Sequence, residues 1–368
     1  FISPLLNFWL FDGELTWTIF AAAFASAWFY QMMFQSADVF RLFFRPWAYL
    51  SITIGYNIGS AVLCIGFIWW LDMGLTGYYI GLCLSSLVMG VIGWWMIHDL
   101  IDWSGWNTKW WPDLLKFGTP LMLSGLAMIL RDTSDRLFIK YYLTLQDLGI
   151  YSSALKIAGI ISVVSGIFAL SFAPFSQKLL HNPDTATVNK IFRLLLRYYG
   201  FLFLSLVIIL AALAPYIVKI ILPENYFNSH YMVVILSFSL SLFGFTYFSC
   251  LGCWKAKKTY LYTISVMLAC LVSMVLGFYL IPWQGLFGAA AASACGMMIL
   301  TVLSFYFSNK SWPINFDFFT FMLQIIICFL GLLCIHISSW YKGSFEERFI
   351  ITVSFLVVLA LISLRKNE

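Results

Sequence analysis

The sequence predicts an all-α polytopic membrane protein, and three observations lead there. Hydrophobic residues make up 62% of the 368-residue chain and charged residues 10%, whereas a soluble domain carries roughly 25% charged residues. The apolar runs are about 20 residues long, the length that lets a helix cross ~30 Å of hydrocarbon. The basic residues gather on alternate connections between those runs. Backbone groups in lipid must pair within a helix or a closed barrel, and barrel strands would alternate in polarity over about 10 residues. Uninterrupted runs of this length are helices.

Eleven complete spans are expected, near residues 17–36, 47–71, 76–97, 117–141, 149–177, 198–221, 230–253, 259–281, 285–307, 316–337 and 348–364. Residues 1–11 read as the end of a preceding helix. The chain starts at Phe1 with no signal-peptide pattern, so its natural N-terminus is expected further upstream.

Orientation follows from charge. The connections 37–46, 98–116, 178–197, 254–258, 308–315 and the tail carry Arg41, Arg45, Lys109, Lys116, Lys178, Lys190, Arg193, Arg197, Lys255, Lys257, Lys258, Lys310, Arg365 and Lys366. The opposite connections carry Lys342, with Arg348 at a helix edge. By the positive-inside rule the basic side faces the cytoplasm, and the turns at 12–16, 72–75, 142–148, 222–229 and 282–284 face outward. A missed helix would scramble this bias.

Two cytoplasmic connections are expected to be structured. Trp103, Trp106, Trp110 and Trp111 recur at helical spacing before Pro112, as in an amphipathic helix lying in the headgroup layer. Residues 184–197 place Lys190, Arg193 and Arg197 on one stripe. That stripe either anchors the chain to anionic lipid or recruits an anionic headgroup, with Lys178 beside it. Cys250 and Cys253 have metal or redox spacing, but no second ligand pair accompanies them, and all eight cysteines read as small apolar residues. The four histidines, at 98, 181, 230 and 336, are scattered and suggest no metal site.

An internal repeat is visible at an offset of 211 residues: Tyr49-Leu50 falls on Tyr260-Leu261, Gly66-Phe67 on Gly277-Phe278, and Gly74 and Gly77 on Gly285 and Gly288. The copies begin six helices apart and so enter the membrane in the same direction, as parallel repeats do. The expected architecture is two pseudo-symmetric six-helix lobes plus two C-terminal helices. Residues 1–97 are the remainder of the first lobe, with roughly 80 residues missing upstream at typical span and loop lengths. Residues 98–116 form the cytoplasmic amphipathic connector, 117–307 the second lobe, and 308–368 the two extra helices.

Most spans are free of charge, but 117–141 carries Arg131, Asp132, Asp135, Arg136 and Lys140. Each charge at a helix centre costs about 2.5–3.5 kcal/mol on insertion scales. Arg131 with Asp135, and Asp132 with Arg136, are four residues apart and can neutralise each other. The next helix adds Lys156, which has no acidic partner in its own span. The excess of cations suits a water-filled cavity with an anionic ligand, and a lipid pyrophosphate fits. The bland alternative is that these groups snorkel to the outer surface, which Arg136 and Lys140 are close enough to do.

Several motifs run through this region: Leu115-Lys116-Phe117-Gly118-Thr119-Pro120, Thr133-Ser134-Asp135-Arg136-Leu137-Phe138-Ile139, and Leu148 to Ala158. Lys257-Lys258-Thr259 and Leu280-Ile281-Pro282, leading to Gly285-Leu286-Phe287-Gly288-Ala289-Ala290, follow later. In order and spacing they resemble the O-antigen and capsule oligosaccharide flippases of the polysaccharide-transporter family, within the multidrug/oligosaccharidyl-lipid/polysaccharide exporter superfamily. The resemblance covers nearly the whole chain from about residue 20. It implies translocation of undecaprenyl-pyrophosphate-linked oligosaccharide repeat units from the cytoplasmic to the periplasmic leaflet of a bacterial inner membrane.

In that reading Lys178, Arg193 and Arg197 recruit the headgroup, and Arg131, Asp132, Asp135, Arg136 and Lys156 bind it. Membrane lipids are partners, glycan polymerase machinery is a candidate partner, and no nucleic acid is expected. No cofactor is expected, and proton or sodium coupling stays open. Rival readings are a peptidoglycan-precursor flippase, a multidrug cation antiporter and, in another class, a membrane glycan polymerase. The cationic bias disfavours the antiporter. The polymerase would want a sizeable outer loop or paired catalytic carboxylates, and the longest outer connection is about ten residues, at 338–347. No Gly-rich phosphate loop appears, so no enzymatic activity is expected.

Overall fold

The computed structural model describes residues 17–100, 108–182, 184–313, 318–340 and 345–364. Among these the regular elements are all helical, and the chain divides into two compact units, residues 1–108 and 109–368. Helices occupy all eleven expected positions. Eight of them, counting interrupted helices as one, are long and apolar enough to cross a membrane. The other three are Trp17–Leu42, Phe318–Trp340 and Phe345–Leu364. Trp103 and Trp106 of the expected amphipathic connector lie outside the described residues, while Trp110 and Trp111 sit at the start of a helix.

The first unit contains α1 (Trp17–Leu42), α2 (Pro46–Trp69) and α3 (Gly74–Ile97). Helix α3 packs along both of the others. Lipid tails are as apolar as leucine, so helices in a membrane associate through close packing of small residues rather than through the hydrophobic effect. Helix α3 shows how. Gly81 lies so near Cys64 that a Cβ would sit 2.8 Å from its backbone nitrogen, and Ser85 donates to the Tyr56 carbonyl at 3.0 Å. Towards α1, Gly93 abuts Ser36, and the Trp94 indole donates to the Met32 carbonyl at 3.1 Å.

The second unit runs through α4 (Trp111–Tyr142), α5 (Leu145–Ala158), α6 (Ile160–Leu180), α7 (Thr185–Ile221), α8 (Ser229–Gly244), the short α9 (Thr246–Ser249) and α10 (Leu251–Lys255), then α11 (Thr259–Gln284), α12 (Leu286–Ser311), α13 (Phe318–Trp340) and α14 (Phe345–Leu364). Helix α8 is the hub, packing against α5, α6, α7 and α12, while α11 lies between α4 and α12. Helices α13 and α14 pair with each other and dock on α7. Aromatic rings fill the centre: Tyr199 stacks on Phe203 with centroids 4.0 Å apart, and Phe172 lies 4.6 Å from Phe248. Cys250 and Cys253 are buried.

Helix boundaries depart from expectation on the basic side. The stretch 178–197, read as a connection with a basic helical stripe over 184–197, is mostly helix: α6 continues to Leu180, and α7 runs unbroken from Thr185 into the next span. Asp184 starts α7 by accepting the backbone N–H groups of Ala186 and Thr187, each at 3.2 Å, which satisfies donors a helix start leaves open. The basic residues here sit on helix ends and helix starts rather than on a loop. Two expected single spans are interrupted, 149–177 at Gly159 and 230–253 at Phe245 and Cys250.

The repeat has a structural counterpart. The α2–α3 and α11–α12 elbows each turn on a glycine with positive φ, Gly74 at 50° and Gly285 at 61°, a region that residues with a Cβ rarely adopt. Three residues on, Gly77 lies against Phe67 and Gly288 against the Leu280 carbonyl, so each elbow presses the new helix onto the end of the old one. Gly288→Ala forces a Cβ into that carbonyl and is expected to cost about 1–3 kcal/mol. Thermal unfolding of the purified protein in detergent reads this as a lowered midpoint, with Gly118→Ala, which meets open space, as the control.

Candidate functional site

Helix α4 carries the charges through the middle of an apolar segment. Arg131 is 3% exposed and Asp135 5%, so neither snorkels to a surface. The Arg131 guanidinium uses Nη1 on Asp132 Oδ1 at 2.9 Å. Its Nη2 donates to Ser293 of α12, to Oγ at 2.7 Å and to the carbonyl at 3.2 Å. Ser293 Oγ lies 3.4 Å from Ser239 Oγ of α8. Asp135 accepts from the Tyr151 hydroxyl of α5 at 3.1 Å. One polar cluster thus links α4, α5, α8 and α12.

The expected pairing is corrected here. Arg131 pairs with the adjacent Asp132 rather than with Asp135, and Arg136 is exposed without an ion pair to Asp132. Spacing of four residues predicts contact on an isolated helix. In the folded unit Ser293 draws Arg131 towards α12, and Tyr151 claims Asp135.

Two buried atoms of the cluster stay without partners, Arg131 Nε and Asp135 Oδ1. Buried polar atoms are satisfied in the great majority of cases, so such orphans need a reason. Beside them lies a cavity of about 200 Å³, lined by Arg131, Asp132, Asp135, Arg136, Tyr151, Ser162, Ser239 and Ser293 among others. It has room for a phosphate or for several water molecules.

This composition corrects a second expectation. The lining holds two arginines and two aspartates and is balanced in formal charge rather than positive. Lys140 is exposed near the end of α4. Lys156 is exposed on α5, whose buried face consists of Tyr151, Ala154, Ile157 and Ala158, and it does not line the cavity. Its neighbours Leu155 and Gly159 do, which puts Lys156 next to the rim.

Tyr151, Ser162, Ser239 and Ser293 were not singled out from the sequence. Tyr151 lies inside the Leu148 to Ala158 motif, which was a usable signal. The serines gave none, because small hydroxyl residues are common in membrane helices.

At the basic end, Lys178 is exposed on the last turn of α6 and Arg193 is exposed on α7. Arg197 is half-buried and has a structural task. Its Nη2 donates to the Ile362 carbonyl of α14 at 2.9 Å, and its own carbonyl accepts from Gln324 of α13 at 3.1 Å. Gln324 in turn donates to Ser363 Oγ at 2.7 Å. Among the described residues no group of three potential metal ligands occurs.

Residues 33–231, more than half of the chain, match the family model described as "Polysaccharide biosynthesis protein". No curated protein matches the sequence. The fold is similar to a mutant of the Vibrio cholerae MATE transporter VcmN, with a TM-score of 0.71 and 16% identity over 85% of this chain and 74% of that one. A second MATE structure, in the straight conformation, gives 0.63 and 13% over 75% of this chain and 64% of that one. The lipid II flippase MurJ, inward closed, gives 0.55 and 16% over 92% and 72%. At these identities the likeness establishes a shared fold.

Tyr151→Phe removes the one hydrogen bond to a buried carboxylate. It is expected to lower stability by about 1–3 kcal/mol, whereas Tyr141→Phe, an exposed neighbour, should change little. Thermal unfolding of the two variants side by side checks this.

Proposed function

The chain belongs to the polysaccharide biosynthesis protein family, and from that premise we propose that it is a flippase for lipid-linked oligosaccharides. Its cargo in this reading is an undecaprenyl-pyrophosphate-linked repeat unit, moved from the cytoplasmic to the periplasmic leaflet of a bacterial inner membrane for O-antigen or capsule assembly. The observation that carries the reading is Arg131: a buried guanidinium on a membrane-spanning helix, lining a polar cavity and paired with a largely exposed carboxylate.

The arrangement supports an exchange of anions. Asp132, the ion-pair partner, has a side chain 64% exposed while that of Arg131 is 4% exposed. The carboxylate can therefore swing away at small cost, and a substrate phosphate takes its place on Nη1. Charge-assisted hydrogen bonds of this kind are the stronger ones. Asp135, held by Tyr151, stays behind and keeps the guanidinium from binding the phosphate irreversibly. Lys156, exposed beside the rim, meets the second phosphate. Lys178 and Arg193 attract the headgroup at the basic end, and the polyprenyl tail remains in lipid.

The test is complementation of a host that lacks its own flippase, with the full-length gene and matched glycan-assembly genes. Arg131→Gln should reduce surface polysaccharide at least about tenfold, the effect of losing one charged hydrogen-bonding partner worth about 1.5–3 kcal/mol. Lys156→Ala should lose most transport and Lys156→Arg should retain part of it. Wild-type output from Arg131→Gln at normal membrane abundance would remove the cavity from the mechanism. Failure of the wild-type chain, with lipid-linked units accumulating inside, would redirect attention to peptidoglycan-precursor and drug-efflux assays.

A further inference from the structure

A larger cavity, about 810 Å³, lies at the basic end of the second unit, framed by the start of α4, the end of α6 and the turn between α10 and α11. Lys116, Lys255, Lys257 and Lys258 line it, with Asp113 as the one acidic residue. Lys255 is already engaged, its Nζ donating to the Leu180 carbonyl and tying the turn to α6. Lys116, Lys257 and Lys258 form no ion pair among the described residues.

The frame is fixed rather than loose. Lys257 sits at φ 54°, uncommon for a residue with a Cβ. Two bonds hold it there: its own N–H to the Trp254 carbonyl at 3.0 Å, and the Lys258 N–H to the Cys253 carbonyl at 2.8 Å. Thr259 Oγ1 then donates to the Phe117 carbonyl at 2.9 Å, fastening α11 to α4. A second observation points to a ligand. Trp254 Nε1 is a buried donor without a partner, and Trp254 lines the cavity.

We propose that this cavity binds the phosphate of a lipid headgroup in the leaflet at the basic end, as a site separate from the Arg131 cavity. Three free ammonium groups and an indole N–H select an anion with several acceptor oxygens. The volume is in the range of small-molecule sites and exceeds a bare phosphate, so it takes a headgroup together with the atoms that link it to its chains. Trp110, Trp254 and Tyr260 supply aromatic rings of the kind that settle at the membrane–water interface. Basic pockets between membrane helices on the cytoplasmic side are a recognised means of holding such headgroups. Two lipids present the same chemistry, an anionic phospholipid and a polyprenyl pyrophosphate.

The experiment uses the full chain in phosphatidylcholine nanodiscs, titrated with phosphatidylglycerol or with polyprenyl pyrophosphate, bound lipid being counted by native mass spectrometry. Lys257→Gln/Lys258→Gln should weaken binding about 25-fold, from roughly fivefold per lysine. The control Lys219→Gln/Lys310→Gln removes the same charge at exposed positions that do not line the cavity and should change it little. Lys257→Arg/Lys258→Arg should keep binding, which separates loss of charge from loss of fold. A selective loss with either lipid supports the site and names its source. Unchanged binding of both lipids in the Gln pair, an equal loss in the control pair, or loss in the Arg pair overturns it. None of these outcomes bears on the Arg131 cavity, whose variants are read by transport.

Discussion

Hydrocarbon offers no hydrogen-bonding partners, and this chain must therefore satisfy its polar atoms from within. Most of its buried hydroxyls do so locally, returning a bond to a carbonyl three or four residues earlier, as Ser36, Ser86, Ser237 and Ser241 do. A hydroxyl used in this way leaves the outside of the helix almost apolar, so two such helices can approach until their small residues touch. Gly252 against Ser308 and Gly296 against Ser273 repeat in the second unit what Gly81 and Gly93 do in the first. Where a donor reaches another helix instead, it pins a particular pair. Ser308 Oγ accepts the Gly252 N–H at 2.9 Å, and Thr263 Oγ1 donates to the Pro120 carbonyl at 2.6 Å.

This economy explains what the sequence could and could not disclose. Helices are dictated by composition and run length, and they appear where the apolar runs are. The two elbow glycines were visible as a repeat because their need for positive φ leaves a residue-level mark. The basic stripe at 184–197 reads as helical from its spacing, but its unbroken run into the next span does not, because apolar run length marks only the hydrophobic part of a helix that Asp184 caps further back. At the site, Arg131, Asp132, Asp135 and Arg136 were visible because charge inside an apolar run is costly enough to be informative. Ser293 and Ser239 were not visible. Nothing in their sequence context separates them from Ser237 and Ser241, which serve only their own helix. The partner choices of Arg131 and Asp135 are tertiary facts, set by residues 16 and 162 positions away along the chain.

Two arginines in the second unit show why burial alone does not mark a functional group. Arg131 and Arg197 each donate through Nη2 to a backbone carbonyl of a distant helix. Arg197 is tied into a network of carbonyls, an amide and a hydroxyl from α13 and α14, packed where Gly200 leaves space for Gln324. Removing any of them would strand another buried group, so that network favours one arrangement and holds the C-terminal pair in place. Around Arg131 the principal partner is a carboxylate whose side chain is largely exposed. Taking a charge out of water costs several kcal/mol per ion even after relaxation, and a partner that can return to water makes that cost reversible. A guanidinium with one exchangeable counter-ion and a cavity of about 200 Å³ beside it can trade anions without unfolding anything. A guanidinium whose bonds dock the C-terminal pair of helices has no such freedom. By this criterion Arg131 belongs to a binding site and Arg197 to the scaffold, although the sequence offered both as ligands for the same headgroup.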